Sequence, residues 1–105
     1  MTARLPSLNG LRAFEAAARH LSFTLAAQEL NVTQTAISHQ IRRLEEELGL
    51  KLFIRQSRAL ALTPEATDYL PGIRAAFQDL RTATDRLLRN GNDRPIGQDD
   101  NGWTG

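Results

Sequence analysis

Residues Phe23 to Arg42, FTLAAQELNVTQTAISHQIR, constrain this chain more than any other stretch. Their apolar positions are Ala26, Ala27, Leu30, Val32, Ala36, Ile37 and Ile41, and the spacing shifts once, at Asn31-Val32. Two helical turns, a tight corner and a longer helix bring all seven into one seam, which is the pattern of a helix-turn-helix. Small Ala27 allows close approach, Leu30 and Val32 plug the corner, and Ile37 and Ile41 anchor the second helix. Asn31 stands where the corner calls for a left-handed residue, a conformation Asn tolerates better than most. Thr33 is the expected N-cap of the second helix.

The outward face of that second helix, expected over about 33–48, carries Gln34, Thr35, Ser38, His39 and Arg42. These side chains are polar and short or flat, without negative charge near the helix start. Gln pairs with adenine, Arg with guanine, and a Thr methyl touches the thymine methyl in a major groove. The exposed amides at the helix start suit phosphate. An amphipathic helix alone would be read as a solvated face; the two-part pattern around the corner favours duplex DNA.

Elsewhere the chain supports that motif. Ser7 caps a first helix through His20, with Leu8, Leu11, Phe14, Ala17 and Ala18 on its buried stripe. Ser22 caps the next helix, and Gly49 ends the second helix of the motif. Glu45, Glu46 and Glu47 make that end unsuited to phosphate. From Leu50 to Leu62 the period changes to two: Leu52 and Ile54 alternate with Phe53 and Arg55, then Leu60 and Leu62 with Ala61. Two short strands joined by a basic tip, Gln56-Ser57-Arg58, form a wing. Thr63-Pro64 opens a last helix, on which Ala66, Leu70, Ile73, Phe77, Leu80, Thr84 and Leu87 fall at heptad intervals, ending near Arg89. Pro71-Gly72 is expected to kink or break it, giving two shorter helices in the latter case. The fold class is thus mainly α: a winged helix-turn-helix over residues 1–62, a long linker or dimerisation helix over 63–89, and a disordered polar tail over 90–105.

Charge adds a milder signal. The 105 residues carry a formal charge of only +1, but residues 1–89 hold 12 of the 13 Lys and Arg against 9 of the 12 Asp and Glu. The tail carries Arg94 against Asp93, Asp99 and Asp100. There is no cysteine, hence no disulfide and no thiolate metal site. No apolar run is long enough to span a membrane, and Arg12 and Glu15 interrupt any signal-peptide core. A cytoplasmic protein is expected. His20 and His39 are far apart in sequence, and adjacent Ser38 and His39 do not face each other on a helix, so no nucleophile–base pair arises. Without a Gly-rich phosphate loop or metal-ligand spacing, neither enzyme activity nor any cofactor or metal is expected.

The run LNGLRAFEAAARHLSFTLAAQELNVTQTAISHQIRRLEEELGLKLF, with LTPEA after the wing, resembles the N-terminal DNA-binding domain of the LysR-type transcriptional regulators. The wording LRAFEAAARHLSFT is similar to the branch that holds the glycine-cleavage activator and the β-lactamase regulator. The resemblance implies a linker helix that pairs two subunits antiparallel. It puts Gln34, Thr35, Ser38 and His39 toward the major groove. Ser22 and Thr24 fall at backbone-contacting positions, and Arg58 at the wing residue that reaches a minor groove. His39 departs from the Arg that some members carry. The partners implied are double-stranded DNA and a second copy, paired through Leu70, Ile73, Phe77, Leu80, Thr84 and Leu87. Family members continue into an effector-sensing domain that this chain lacks, as an excised domain, a truncated product or a stand-alone variant would. The competing reading is a winged-helix protein–protein adaptor, which would need an apolar patch on the outward face of 33–42. RNA binding would call for exposed stacking aromatics, whereas the four Phe fit buried stripes.

Overall fold

Hydroxyl side chains set the starts of all four helices among the described residues. A computed structural model describes residues 5–57 and 59–92. In it, α1 (Leu8–His20) begins where Ser7 Oγ accepts from the Gly10 amide at 3.2 Å. In α2 (Phe23–Leu30), Ser22 accepts from Leu25, and in α3 (Gln34–Leu48), Thr33 accepts from Ala36. Thr63 caps α4 (Pro64–Asn92), its Oγ1 accepting from the Ala66 amide while donating to the Lys51 carbonyl. Each such cap satisfies an amide that the helix itself leaves unpaired.

The first three helices end alike. Leu21, Asn31 and Gly49 each take a left-handed conformation, with φ of 50°, 60° and 72°. The residue after each turns its amide back into the helix: Ser22 to Ala17, Val32 to Ala27, Leu50 to Glu45. This is the Schellman closure. Asn31 and Gly49 match the sequence expectation, and Leu21 was not foreseen.

The chain divides into two compact units, Met1–Arg74 and Ala75–Gly105. The core of the first lies among α1, α2 and α3, where Phe14, Ala17, Ala26, Ile37, Ile41 and Leu44 are buried. Phe53 stands edge-on to Phe14 and Phe23, with ring centroids 5.8 and 5.4 Å apart. Strands β1 (Phe53–Arg55) and β2 (Leu60–Leu62) pair antiparallel with Phe53 opposite Leu62 and Arg55 opposite Leu60. Gln56 and Ala59 exchange backbone hydrogen bonds and close the hairpin. A two-stranded ribbon is unstable alone, and Glu45 of α3 anchors this one, its Oε2 accepting from the amides of Leu52 (2.8 Å) and Phe53 (3.4 Å). In the second unit residues 75–92 are helical, with Leu80, Leu87 and Leu88 exposed and the Thr84 hydroxyl donating to the Leu80 carbonyl.

Three expectations, at Val32, Leu8 and the end of the last helix, need correction, and the structure decides a fourth point at Pro71. Val32 does not plug the corner: it is 46% exposed, because the backbone closure through Asn31 turns its side chain outward, while Leu30 is half-buried. Leu8 is 55% exposed, since it begins α1 outside the packed turns. Of the kink or break expected at Pro71-Gly72, the break does not occur: α4 runs from Pro64 to Asn92, the long helix of the expected fold class. Pro71 lies on an exposed position, while Ala66 before it is buried and Leu70 and Ile73 on either side are half-buried. Burial on both sides of the proline offsets the single lost hydrogen bond. The helix also passes its expected end near Arg89, so residues 90–92, assigned to the tail, are helical. The rest of that tail, with its expected disorder, and Arg58 lie outside the described residues.

Candidate nucleic-acid interface

The packing that buries one side of α3 decides what the other side offers. Ile37, Ile41 and Leu44 face the core, leaving Gln34, Thr35, His39 and Arg42 exposed and Ser38 half-buried. The first turn of α3 contains no acidic residue, nor do those of α1 and α2, whereas α4 opens with Glu65. No acidic side chain of its own therefore opposes the positive end of the α3 dipole.

Two side chains of this face are held from other elements. Thr24, exposed in the first turn of α2, donates its hydroxyl to Gln34 Oε1 at 3.1 Å. Arg55 of β1 donates to Ser38 Oγ at 3.2 Å, and its guanidinium lies 4.8 Å from the Phe23 ring centroid. That stacking keeps a cation beside α3. Arg55 was missed as a site residue; its alternation with Ile54 was visible, but the contact with Ser38 spans seventeen positions and needs the fold. Arg42, Lys51 and Arg55 share with Phe23, Ser38 and Ile41 the wall of a groove of about 400 Å³. Lys51 Nζ is 3.8 Å from Glu45 Oε1, so the wing anchor also moderates this positive wall.

Of the sequence-derived positions, Gln34, Thr35, Ser38, His39 and Arg42 share one face of α3, and Thr24 joins them through Gln34. Ser22 and Thr33 are occupied as helix caps. Between α1 and α2, Arg19 forks between Glu15 and Glu29, which also meets His20 Nε2 at 2.7 Å. These hydrogen bonds, first from Arg19 and then from His20, pull the Glu29 carboxyl down to about 2. They tie α1 to α2. Among the described residues no group of acidic or histidine side chains could hold a metal, and no helix is long and apolar enough to cross a membrane.

Residues 8–67 match the model of the bacterial regulatory helix-turn-helix protein, lysR family. The chain belongs to this family. It is 59% identical over 87 residues to the glycine cleavage system transcriptional activator of Escherichia coli (strain K12), covering 83% of this chain and 28% of the relative. Against the HTH-type transcriptional activator AmpR of Providencia stuartii it is 61% identical over 79 residues, covering 75% of this chain and 27% of that one. The chain thus spans under a third of the length of these relatives. Among solved structures, BenM_DBD in complex with benA site 1 DNA superposes with a TM-score of 0.75 at 33% identity, over 84% of this chain and 99% of that one. The winged helix-turn-helix of this LysR-family chain is therefore shared with a domain solved on DNA.

Proposed function

We propose that this LysR-family chain is the sequence-specific, duplex-DNA-binding part of a transcriptional regulator. In this reading residues 1–62 are the binding module, and α3 enters the major groove with Gln34, Thr35, Ser38, His39 and Arg42 toward the bases. Ser22, Thr24 and Thr33 lie near the DNA backbone, and Arg58 of the wing reaches the neighbouring minor groove. The observation that carries it is the face of α3: polar, exposed, free of acid in its first turn, and flanked by Arg42 and Arg55. Such a face matches the donor and acceptor pattern of base edges and the charge of phosphate. The likeness to BenM_DBD on DNA supports the same placement. A protein–protein adaptor would need an apolar patch there, and residues 33–35, 38, 39 and 42 supply none.

Residues 63–89 act as the linker, pairing two copies through Leu70, Ile73, Phe77, Leu80, Thr84 and Leu87. Leu80 and Leu87 are 50% and 66% exposed in the single chain, as a seam awaiting a second copy would be. A symmetric dimer reads a site with matching half-sites. The work of such a protein is binding, in the cytoplasm, without catalysis or cofactor. Selection from a random duplex library tests this: two related half-sites should be enriched. Recovery of unselected sequences at all salt concentrations would refute sequence-specific binding.

A further inference from the structure

Gln34 is exposed, and the terminal torsion of a free Gln side chain is broad, so its amide could present either its oxygen or its NH2. Here the amide is held. The Thr24 hydroxyl donates to Gln34 Oε1 at 3.1 Å, across the corner between α2 and α3. Thr24 lies in the first turn of α2 and Gln34 begins α3, and neither first turn contains an acid. Two positive helix ends without an acid of their own therefore favour the negative, carbonyl end of the amide on their side. Held by its oxygen, the amide keeps its NH2 free to donate elsewhere.

We infer that Thr24 is a positioning residue for base recognition: it fixes Gln34 with the amide NH2 outward, so that Gln34 reads a hydrogen-bond acceptor. This rests on α3 being the helix that enters the major groove. There, guanine offers N7 and O6, adenine N7 and thymine O4, while cytosine presents only the N4 donor. Gln34 should accordingly tolerate adenine, guanine or thymine at the base it meets and reject cytosine. Arg55 constrains Ser38 in the same sense. By donating to Ser38 Oγ it occupies an acceptor site and frees the hydroxyl proton for a base.

The test uses the full 105-residue chain and a random duplex library, comparing wild type with Thr24→Val and Thr24→Ser. Both substitutions fall at an exposed position and keep the Ser22 cap. Wild type should disfavour cytosine at one position of each half-site by about tenfold or more. In Thr24→Val the freed amide can turn its oxygen outward, and that discrimination should fall to about twofold. The other positions should keep their preferences, and Thr24→Ser, which restores the hydroxyl, should restore the profile. A Thr24→Val profile identical to wild type overturns the inference. So does a uniform loss on all sequences, which would make Thr24 a phosphate contact only. A wild type with no sequence preference would instead refute the proposed function itself, which separates the two failures.

Discussion

Replacing Ile37 by Ala, beside a matched Val32→Ala, tests how the corner of the motif is closed. Ile37 is 2% exposed and its side chain points from α3 into the core, whereas Val32 is half in solvent. Truncating Ile37 removes three buried carbons at about 0.8 kcal/mol each, roughly 2.5 kcal/mol of transfer free energy. The remaining void adds to this, so the total should be about 3–4 kcal/mol, within the usual span for such changes. Val32→Ala loses two carbons that are only half-buried, and should cost under about 1 kcal/mol. Urea denaturation followed by circular dichroism reads both. With a slope of about 1–3 kcal/mol per M, Ile37→Ala should lower the midpoint by about 1–4 M and Val32→Ala by a fraction of that. Such a loss is a large share of the about 5–15 kcal/mol typical of a domain, so DNA titrations belong at low temperature, where the variant stays folded. There its affinity should approach wild type, because Ile37 faces away from the proposed interface. Equal losses for the two variants would refute the reasoning. They would mean that Val32 bears on the core and that apolar packing, rather than the backbone closure at Asn31, holds the corner.

Gln34→Ala should cost about 1–3 kcal/mol on the selected site and little on unrelated duplex, read by titration on both. Equal losses would make Gln34 a backbone contact. Arg58→Ala should weaken binding and reduce the slope of log affinity against log salt by about one unit; an unchanged slope would remove the wing from the interface. Leu80→Glu should place charge in the linker seam and shift the sedimenting species to monomer, with circular dichroism showing the helices retained. A wild-type monomer at about ten micromolar, where a modest interface still holds, would refute pairing through this seam. Glu29→Gln should destabilise by no more than about 1 kcal/mol at neutral pH and low salt, because the carboxylate is over a third exposed and its ion pairs are screened. Since folding depresses the Glu29 pKa, its contribution is present above the ordinary carboxylate range and lost as pH falls toward about 2. The gap between variant and wild type should close over that acid range in pH-dependent denaturation.

What could be read from the sequence was local chemistry. Ser7, Ser22, Thr33 and Thr63 each cap by reaching an amide three residues ahead, so sequence neighbours alone identify them. Asn31 and Gly49 announce left-handed turns for the same reason. The alternation around Phe53 and Leu62 was enough to place the wing. Apolar periodicity, by contrast, ranks a residue by its kind and not by what stands opposite it, and so it buried Val32 and Leu8. At Pro71 the sequence shows only the backbone cost of a proline, while the burial of Ala66 and half-burial of Leu70 and Ile73 that offset it need the fold. The bonds from Thr24 to Gln34, from Arg55 to Ser38 and from the Leu52 and Phe53 amides to Glu45 join residues that meet only after folding. The first two hold side chains of the α3 face and the last anchors the wing, and no motif signalled them.

The acid-free opening turns of α1, α2 and α3 leave stability unclaimed in the free protein. An Asp or Glu in the first turn of a helix commonly adds about 0.3–1 kcal/mol. Thr35→Glu would be an obvious choice for a hardier chain, and it would set a carboxylate against the phosphates that α3 is proposed to meet. Thermal hardening and occupancy of an operator would then pull in opposite directions at a single codon. For the same reason an anionic duplex supplies from outside the charge that these helices omit, so the bound chain should melt later than the free one by mass action. Selection for heat resistance alone would drift toward acidic helix starts, and the lineage would keep its fold while losing the proposed DNA-binding face.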